Sequence, residues 1–231
     1  MRLKKTLIFI LISIFVLQFC SCSSENKQIK KEKQNLANYI MANLDNDDIK
    51  VAKKGYYEAS GIYITLYGSD KTEDVLELIT ICDEWINNNQ DSYAVRERLN
   101  ITVELYLNET KPRGCWTNDY VARISNYSSH PQLAPSSKFD CLDINSFDSL
   151  QSSDFRDLPN DYRYISLPST VEIDDFEVFV DMTALEELEI CDYPFEGDPQ
   201  RVRDKYNEIM EIADDYTDLQ FEIYYRSSDL D

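Results

Sequence analysis

One apolar pattern returns along this chain at a fixed interval. Phe139-Asp-Cys-Leu142-Asp-Ile144 is followed 23 residues later by Tyr162-Arg-Tyr-Ile165-Ser-Leu167, and 23 residues after that by Leu185-Glu-Glu-Leu188-Glu-Ile190. Each hexad has the alternation of a short strand with one buried face. A single strand of this length cannot bury its apolar side chains alone, so copies at a constant period are expected to stack on one another. Tyr216-Thr-Asp-Leu219-Gln-Phe221 reads as a fourth copy 31 residues on, a helical insertion accounting for the longer interval.

Ile62–Leu66 and Ile101–Leu107, outside the hexads, and Leu219–Ile223, overlapping the fourth, also alternate as strands. Two segments have helical spacing. From Asp70 to about Asn87 the stripe is Val75, Leu78, Ile79, Cys82 and Ile86, with Asp70 and Glu73 spaced as a capping box. From Asp198 to Tyr216 it is Val202, Tyr206, Ile209 and Ala213, with Asp198 as N-cap and Pro199 in the first turn. Each helix lies between two strands (62–67 and 100–107; 188–191 and 219–225), which predicts two parallel strand–helix–strand units.

The period and pattern of 139–190 resemble a leucine-rich repeat, and more closely the bacterial surface-protein type. The match includes Pro168-Ser169-Thr170-Val171 after one strand, Phe179 beyond it, then Leu185, Leu188 and Ile190. The usual Ile-Gly after the Val is displaced to Ile173-Asp174, Met182 stands where Cys is usual, and the turn from Phe139 lacks the Pro-Ser-Thr-Val element. The resemblance implies an α/β fold, a short leucine-rich-repeat-like βα solenoid with parallel strands. The alternative is two βαβ units in an α/β sandwich, with the middle as a long connection.

The N-terminus combines Arg2, Lys4 and Lys5 with an apolar run from Leu7 to Phe19. That run is shorter than the roughly 20 residues a membrane-spanning helix needs, so residues 1–21 read as a secretory signal. Ser21-Cys22-Ser23-Ser24 resembles the lipobox of bacterial lipoproteins, with Phe19 where Leu is usual. The resemblance implies cleavage before Cys22, lipidation (palmitate and diacylglycerol) of that cysteine, and a lipid-anchored protein on the extracytoplasmic face of the cell membrane. Residues 22–54 then form a tether, flexible over 23–33, with helical spacing at Leu36, Tyr39, Ile40 and Leu44. Residues 55–231 form a single α/β domain.

Charge divides along the same boundary. Residues 22–54 hold seven Lys and five acids, whereas 55–231 hold 13 Lys/Arg and 38 acids, a net of −25. Such a body repels phosphate backbones, which excludes nucleic acid as a partner. A protein, peptide or glycan is the expected ligand class, with the acids favouring a basic one.

Nothing in the chain assembles a recognisable catalytic centre. The one histidine, His130, sits in a Ser-Ser-His-Pro loop, and five glycines supply neither a nucleophile elbow nor a phosphate loop. Paired acids such as Glu186 and Glu187 carry no weight among 43 carboxylates, and no catalytic residue or cofactor is assigned. Asp45-Asn-Asp-Asp48 lacks the Gly and distal Glu of a calcium loop and reads as a helix end; no metal ligand is assigned. Cys82, Cys115, Cys141 and Cys191 allow three disulfide connectivities or remain thiols; Cys115 is the one expected to be bridged, and Cys82 fits an apolar helix stripe.

Strand alternation places Tyr63, Tyr67, Glu104, Tyr106, Tyr164, Ser166, Glu187, Glu189, Glu222 and Tyr224 on one face of any common sheet. Tyrosine combines a stiff apolar ring with a polar tip, suited to peptides and sugars. This face is the expected binding surface, open to solvent, of a non-enzymatic adhesion or binding module. The alternative is an accessory or structural subunit of an envelope assembly.

Overall fold

Among the described residues the strands join one eight-stranded mixed sheet whose spatial order is their sequence order. The computed structural model describes residues 26–52, 61–108, 120–126, 136–145, 150–159, 161–192, 198–217 and 219–226. The strands are β1 (Lys50–Val51), β2 (Gly61–Tyr67), β3 (Asn100–Tyr106), β4 (Ala122–Ser125), β5 (Cys141–Ile144), β6 (Tyr164–Leu167), β7 (Glu187–Cys191) and β8 (Glu222–Arg226). The helices are α1 (26–43), α2 (Thr72–Asn88), α3 (Tyr93–Arg96), α4 (Glu177–Val180) and α5 (Pro199–Ala213), with a 3-10 turn at Ser152–Phe155. β2 pairs parallel with β3, and β5 through β8 are mutually parallel; β1 and β4 run antiparallel to their neighbours.

The 23-residue interval appears directly in the pairing. Leu142 stands opposite Ile165, and Ile165 opposite Leu188. The fourth position differs from the sequence expectation: Leu188 pairs with Ile223, not Leu219, and the strand is Glu222–Arg226. The reason is the length of the α5 crossover. After Ala213 the chain spends eight residues returning to the sheet, and Phe221 enters the core beneath β8 instead of opening the strand's register.

Polar groups repeat at the same interval. The main-chain carbonyl of Asp140 accepts from the N–H groups of Arg163 and Tyr164, and that of Arg163 accepts from Glu186 and Glu187. Arg163 Nε donates to Asp140 Oδ2 at 2.7 Å, and its Nη1 lies 4.0 Å from Glu186 Oε1, giving an acid–base–acid column across β5–β7. Ser169 donates its N–H and hydroxyl to the two oxygens of Asp192, each at 2.7 Å, and Asp175 N–H donates to Ser152 Oγ at 2.9 Å.

One continuous core lies on the apolar face of the sheet. Ile62, Ile64, Leu66, Ile101, Val103, Leu105, Ile124, Leu142, Ile165 and Leu188 supply its floor, and Val75, Leu78, Ile79, Cys82, Trp85 and Ile86 of α2 lie on it. A cluster of Phe155, Phe176, Phe179, Tyr216 and Phe221 fills the other end, with ring centroids 5.3–6.3 Å apart. Burial of a side chain of this size is worth about 1.5–3 kcal/mol each.

Local signals resolve in two ways. Asp198 caps α5 as expected, its side chain accepting from Gln200 N–H at 3.0 Å. Asp70 does not cap α2. The N-cap position is Lys71, whose side chain makes no cap, and Ser69 stands in by accepting from Lys71 N–H at 3.1 Å and donating to Asp74. Gly68 closes β2 with φ 122°, and a Cβ there would sit 2.5 Å from the Asp48 carbonyl oxygen, so only glycine passes this corner without strain. Residues 26–33, expected to be flexible tether, are helical. Leu36 and Ile40 are fully buried, and the Glu32 carboxylate accepts from Tyr93 and Ala94 N–H at 2.8 and 2.7 Å, pinning α1 to the start of α3.

Candidate functional site

The face opposite the core carries the candidate site. Two cross-strand rows define it. The first reads Tyr63, Thr102, Ser125, Cys141, Tyr164, Glu187, Glu222, and the second Thr65, Glu104, Arg123, Asp143, Ser166, Glu189, Tyr224. A third row, beyond the second, holds Tyr67 paired with Tyr106 on the β2–β3 side of the sheet and Cys191 paired with Arg226 on the β7–β8 side. The ten residues expected on one face are therefore there, at the predicted spacing.

The face is not open as expected. Tyr106, Tyr164, Ser166 and Glu189 are buried; Tyr63, Tyr67, Glu104, Glu187 and Tyr224 are half-buried; only Glu222 is exposed. The side chains largely satisfy one another. Tyr164 Oη donates to Glu189 Oε2, Tyr224 Oη donates to Glu187 Oε2 at 3.0 Å, and Tyr106 Oη donates to Glu104 Oε2 at 3.0 Å. Arg226 Nη2 stands 2.7 Å from Glu189 Oε1, an ion pair with a fully buried carboxylate. The Tyr120 ring meets Tyr106 edge-on at 6.4 Å, sealing the β3–β4 end. Strand alternation fixes which way a side chain points, but whether long neighbours fold over it depends on cross-strand identities that alternation does not report.

The electrostatics follow from that burial. Asp143 lies close to the guanidinium groups of Arg123 and Arg226, and Glu189 to that of Arg226, whereas Glu187 faces Tyr224, Glu222 and Glu186. Burial pushes the Glu189 carboxyl up to about 7, with Arg226, Tyr164 and Ser166 opposing and Asp143 reinforcing. Burial likewise raises Asp143 against the pull of Arg123, Tyr164, Arg226 and Tyr120. Glu187 is raised by burial and by neighbouring Glu222 and Glu186, with the Tyr224 hydrogen bond opposing. Desolvation together with the adjacent carboxylates pushes the Tyr164 and Tyr224 hydroxyls upward, so both remain donors at neutral pH.

Arg123, Asp143, Tyr120 and Arg226 belong to this cluster without having been singled out in the sequence. Asp143 was findable: the hexad that puts Ser166 and Glu189 on this face puts Asp143 there too. Arg123 was not, because β4 is four residues long and all but one of them are buried, so no alternation marks it.

The remaining sequence candidates scatter. Glu186 is exposed at the entry to β7. Asp45–Asp48 forms a turn tied to α2, with Asn46 Nδ2 donating to Asp74 Oδ2 at 2.8 Å and Asp45 N–H donating to Glu77 Oε1 at 3.1 Å. Cys82, Cys141 and Cys191 are buried thiols, not disulfide sulfurs, and burial pushes the Cys82 and Cys141 thiols up and away from reactivity. Cys22, Cys115 and His130 lie outside the described residues. Among the described residues no group of His, Cys, Asp or Glu is placed to hold a metal ion, and no helix is long and apolar enough to cross a membrane.

Comparison with protein-family models, curated proteins and solved structures returns no match for this chain.

Proposed function

We propose that this chain is a lipid-anchored, extracytoplasmic binding module built on a short leucine-rich-repeat-like solenoid, and that it works without catalysis. The observation carrying the architecture is the register Leu142, Ile165, Leu188 across three parallel strands, with polar contacts at the same interval from Asp140 to Arg163 and from Ser169 to Asp192. The rival arrangement makes the middle of the chain a connection between two units, whereas β5 and β6 are central members of the same sheet. The address rests on the Cys22 lipobox.

The binding surface under this reading is narrower than the whole tyrosine face. Tyr164 and Glu189 act as its buried support. The groups that remain accessible are Glu186, Glu187 and Glu222 at the entry to β7 and β8, with Tyr224 beside them. Their charge suits a basic peptide or protein surface. The test is retention of basic, neutral and acidic peptides and glycans by the protein held on vesicles. Selective retention of basic ligands, lost in Glu187→Gln/Glu222→Gln, is the expected result. Retention indifferent to ligand charge and to the substitution contradicts it.

A further inference from the structure

The lysines of α1 form a surface whose position in the fold points to a specific partner. Lys27, Lys30, Lys31, Gln34, Asn38 and Met41 recur at three- and four-residue steps and are all exposed, on the side of the helix opposite Leu36 and Ile40. Over residues 26–43 there are four lysines and one acid, and that acid, Glu32, is buried against the N-terminus of α3. The accessible charge of this helix is therefore wholly positive, on a protein whose net charge is −20. Charge is graded along the helix, because the exposed Asp45, Asp47 and Asp48 follow its C-terminal end. The macrodipole adds positive potential at the lysine end.

We infer that the N-terminal half of α1, through Lys27, Lys30 and Lys31, docks on the anionic headgroups of a membrane surface. The inference rests on the anchored reading for its occupant. Four residues separate Cys22 from Lys27, one of them Glu25, which offsets part of the charge. Fully extended, that connection reaches roughly 17 Å. A helix from residue 26 keeps Lys27, Lys30 and Lys31 on one exposed face within about one turn, so they meet the headgroups together, at the roughly 8 Å range over which such charges act at physiological salt. The multi-chain anchor expected at Cys22 holds the protein to the membrane by itself, so the basic patch adds orientation rather than attachment. The acidic body is repelled by the same headgroups, so the lysine end faces the membrane and the sheet stands away from it.

The test uses the chain from Cys22 onward without lipid, which removes none of the described elements. Its partition is measured on vesicles of phosphatidylcholine alone and with 30% phosphatidylglycerol, against Lys27→Gln/Lys30→Gln/Lys31→Gln and the corresponding triple Arg variant, all checked for equal thermal unfolding. Expected are binding to the anionic vesicles only, a loss of about 100-fold in the Gln variant, and retention in the Arg variant. Equal binding to both vesicle types, or no loss in the Gln variant, overturns the inference. So does self-association of the free protein that the Gln substitutions abolish, which would make the acidic body of a second copy the occupant. Mass spectrometry of the N-terminal peptide from membranes tests the anchor separately: a missing lipid on Cys22 defeats the anchored reading and leaves the vesicle result standing.

Discussion

Replacing Asp83 by Asn is expected to stabilise the protein increasingly as pH rises. Asp83 lies on α2 and is 8% exposed, beside the fully buried Tyr162, whose hydroxyl donates to its Oδ2 at 3.2 Å. Burial pushes its carboxyl up to about 7, with the Tyr162 hydrogen bond opposing, Asp161 reinforcing and Lys138 opposing. A carboxyl raised in the fold binds its proton more tightly there than in the unfolded chain, so its ionisation works against folding. The cost is absent below the unfolded value of 3.8, grows through the interval and is complete above about 7. At about 1.36 kcal/mol per pH unit this amounts to about 4 kcal/mol at pH 8 and about 1.5 kcal/mol at pH 5. Asn keeps the shape and the acceptor for Tyr162 but has no proton to lose. The weaker hydrogen bond to a neutral acceptor costs about 1 kcal/mol. The variant is thus near neutral at pH 5 and about 2–3 kcal/mol more stable than the parent at pH 8. Urea unfolding of both proteins at the two pH values reads this directly, and taking the difference cancels every other titrating group. A stability gap of the same size at pH 5 and pH 8 refutes the reasoning, because it means Asp83 ionises in the fold as it does in the unfolded chain.

Three further outcomes follow from the packing. Ile165→Ala empties the middle of the Leu142–Ile165–Leu188 row, where the side chain is fully buried, and is expected to lower unfolding stability by about 3 kcal/mol in denaturant titration. Glu32→Ala leaves the N–H groups of Tyr93 and Ala94 without their acceptor and is expected to cost about 2–3 kcal/mol, with faster amide hydrogen exchange concentrated in residues 26–43. At Asp192, burial opposes ionisation, but Arg201 and Ser169 outweigh it and hold the carboxyl below its ordinary value. A depressed carboxyl stabilises the fold above its unfolded value, so Asp192→Asn loses that contribution at pH 7, and its deficit against the parent shrinks as acid protonates the native carboxylate.

The parts of this fold readable in advance are those where a local pattern and a tertiary neighbour coincide. The hexads of 139–190 named both the strands and their register, because consecutive short turns leave the chain no slack. The strand expected at 219–225 is present at Glu222–Arg226, but its register was misplaced by four residues, Leu219 for Ile223, because α5 and the segment after it can return to the sheet at several lengths. Phe221 is buried and matches the apolar pattern, although it belongs to the core beneath β8 and not to the strand. β1 and β4 were missed for another reason. Two residues carry no periodicity, and a four-residue strand with Ala122, Ile124 and Ser125 all buried shows no alternation. The candidate face was legible in membership but not in accessibility. That Tyr164 would close over Glu189 depends on the 23-residue offset placing the tyrosine one strand away and one alternation back, which requires the register to be known first.

The register carries the whole account. Long-range NMR contacts among the methyl groups of Leu142, Ile165, Leu188, Leu219 and Ile223 test it most directly. The account requires contacts from Leu142 to Ile165, Ile165 to Leu188 and Leu188 to Ile223, together with protection from exchange at the Glu187 and Glu222 amides, which bond the Arg163 and Glu186 carbonyls. Contacts placing Leu188 beside Leu219, or none between Leu142 and Ile165, contradict it.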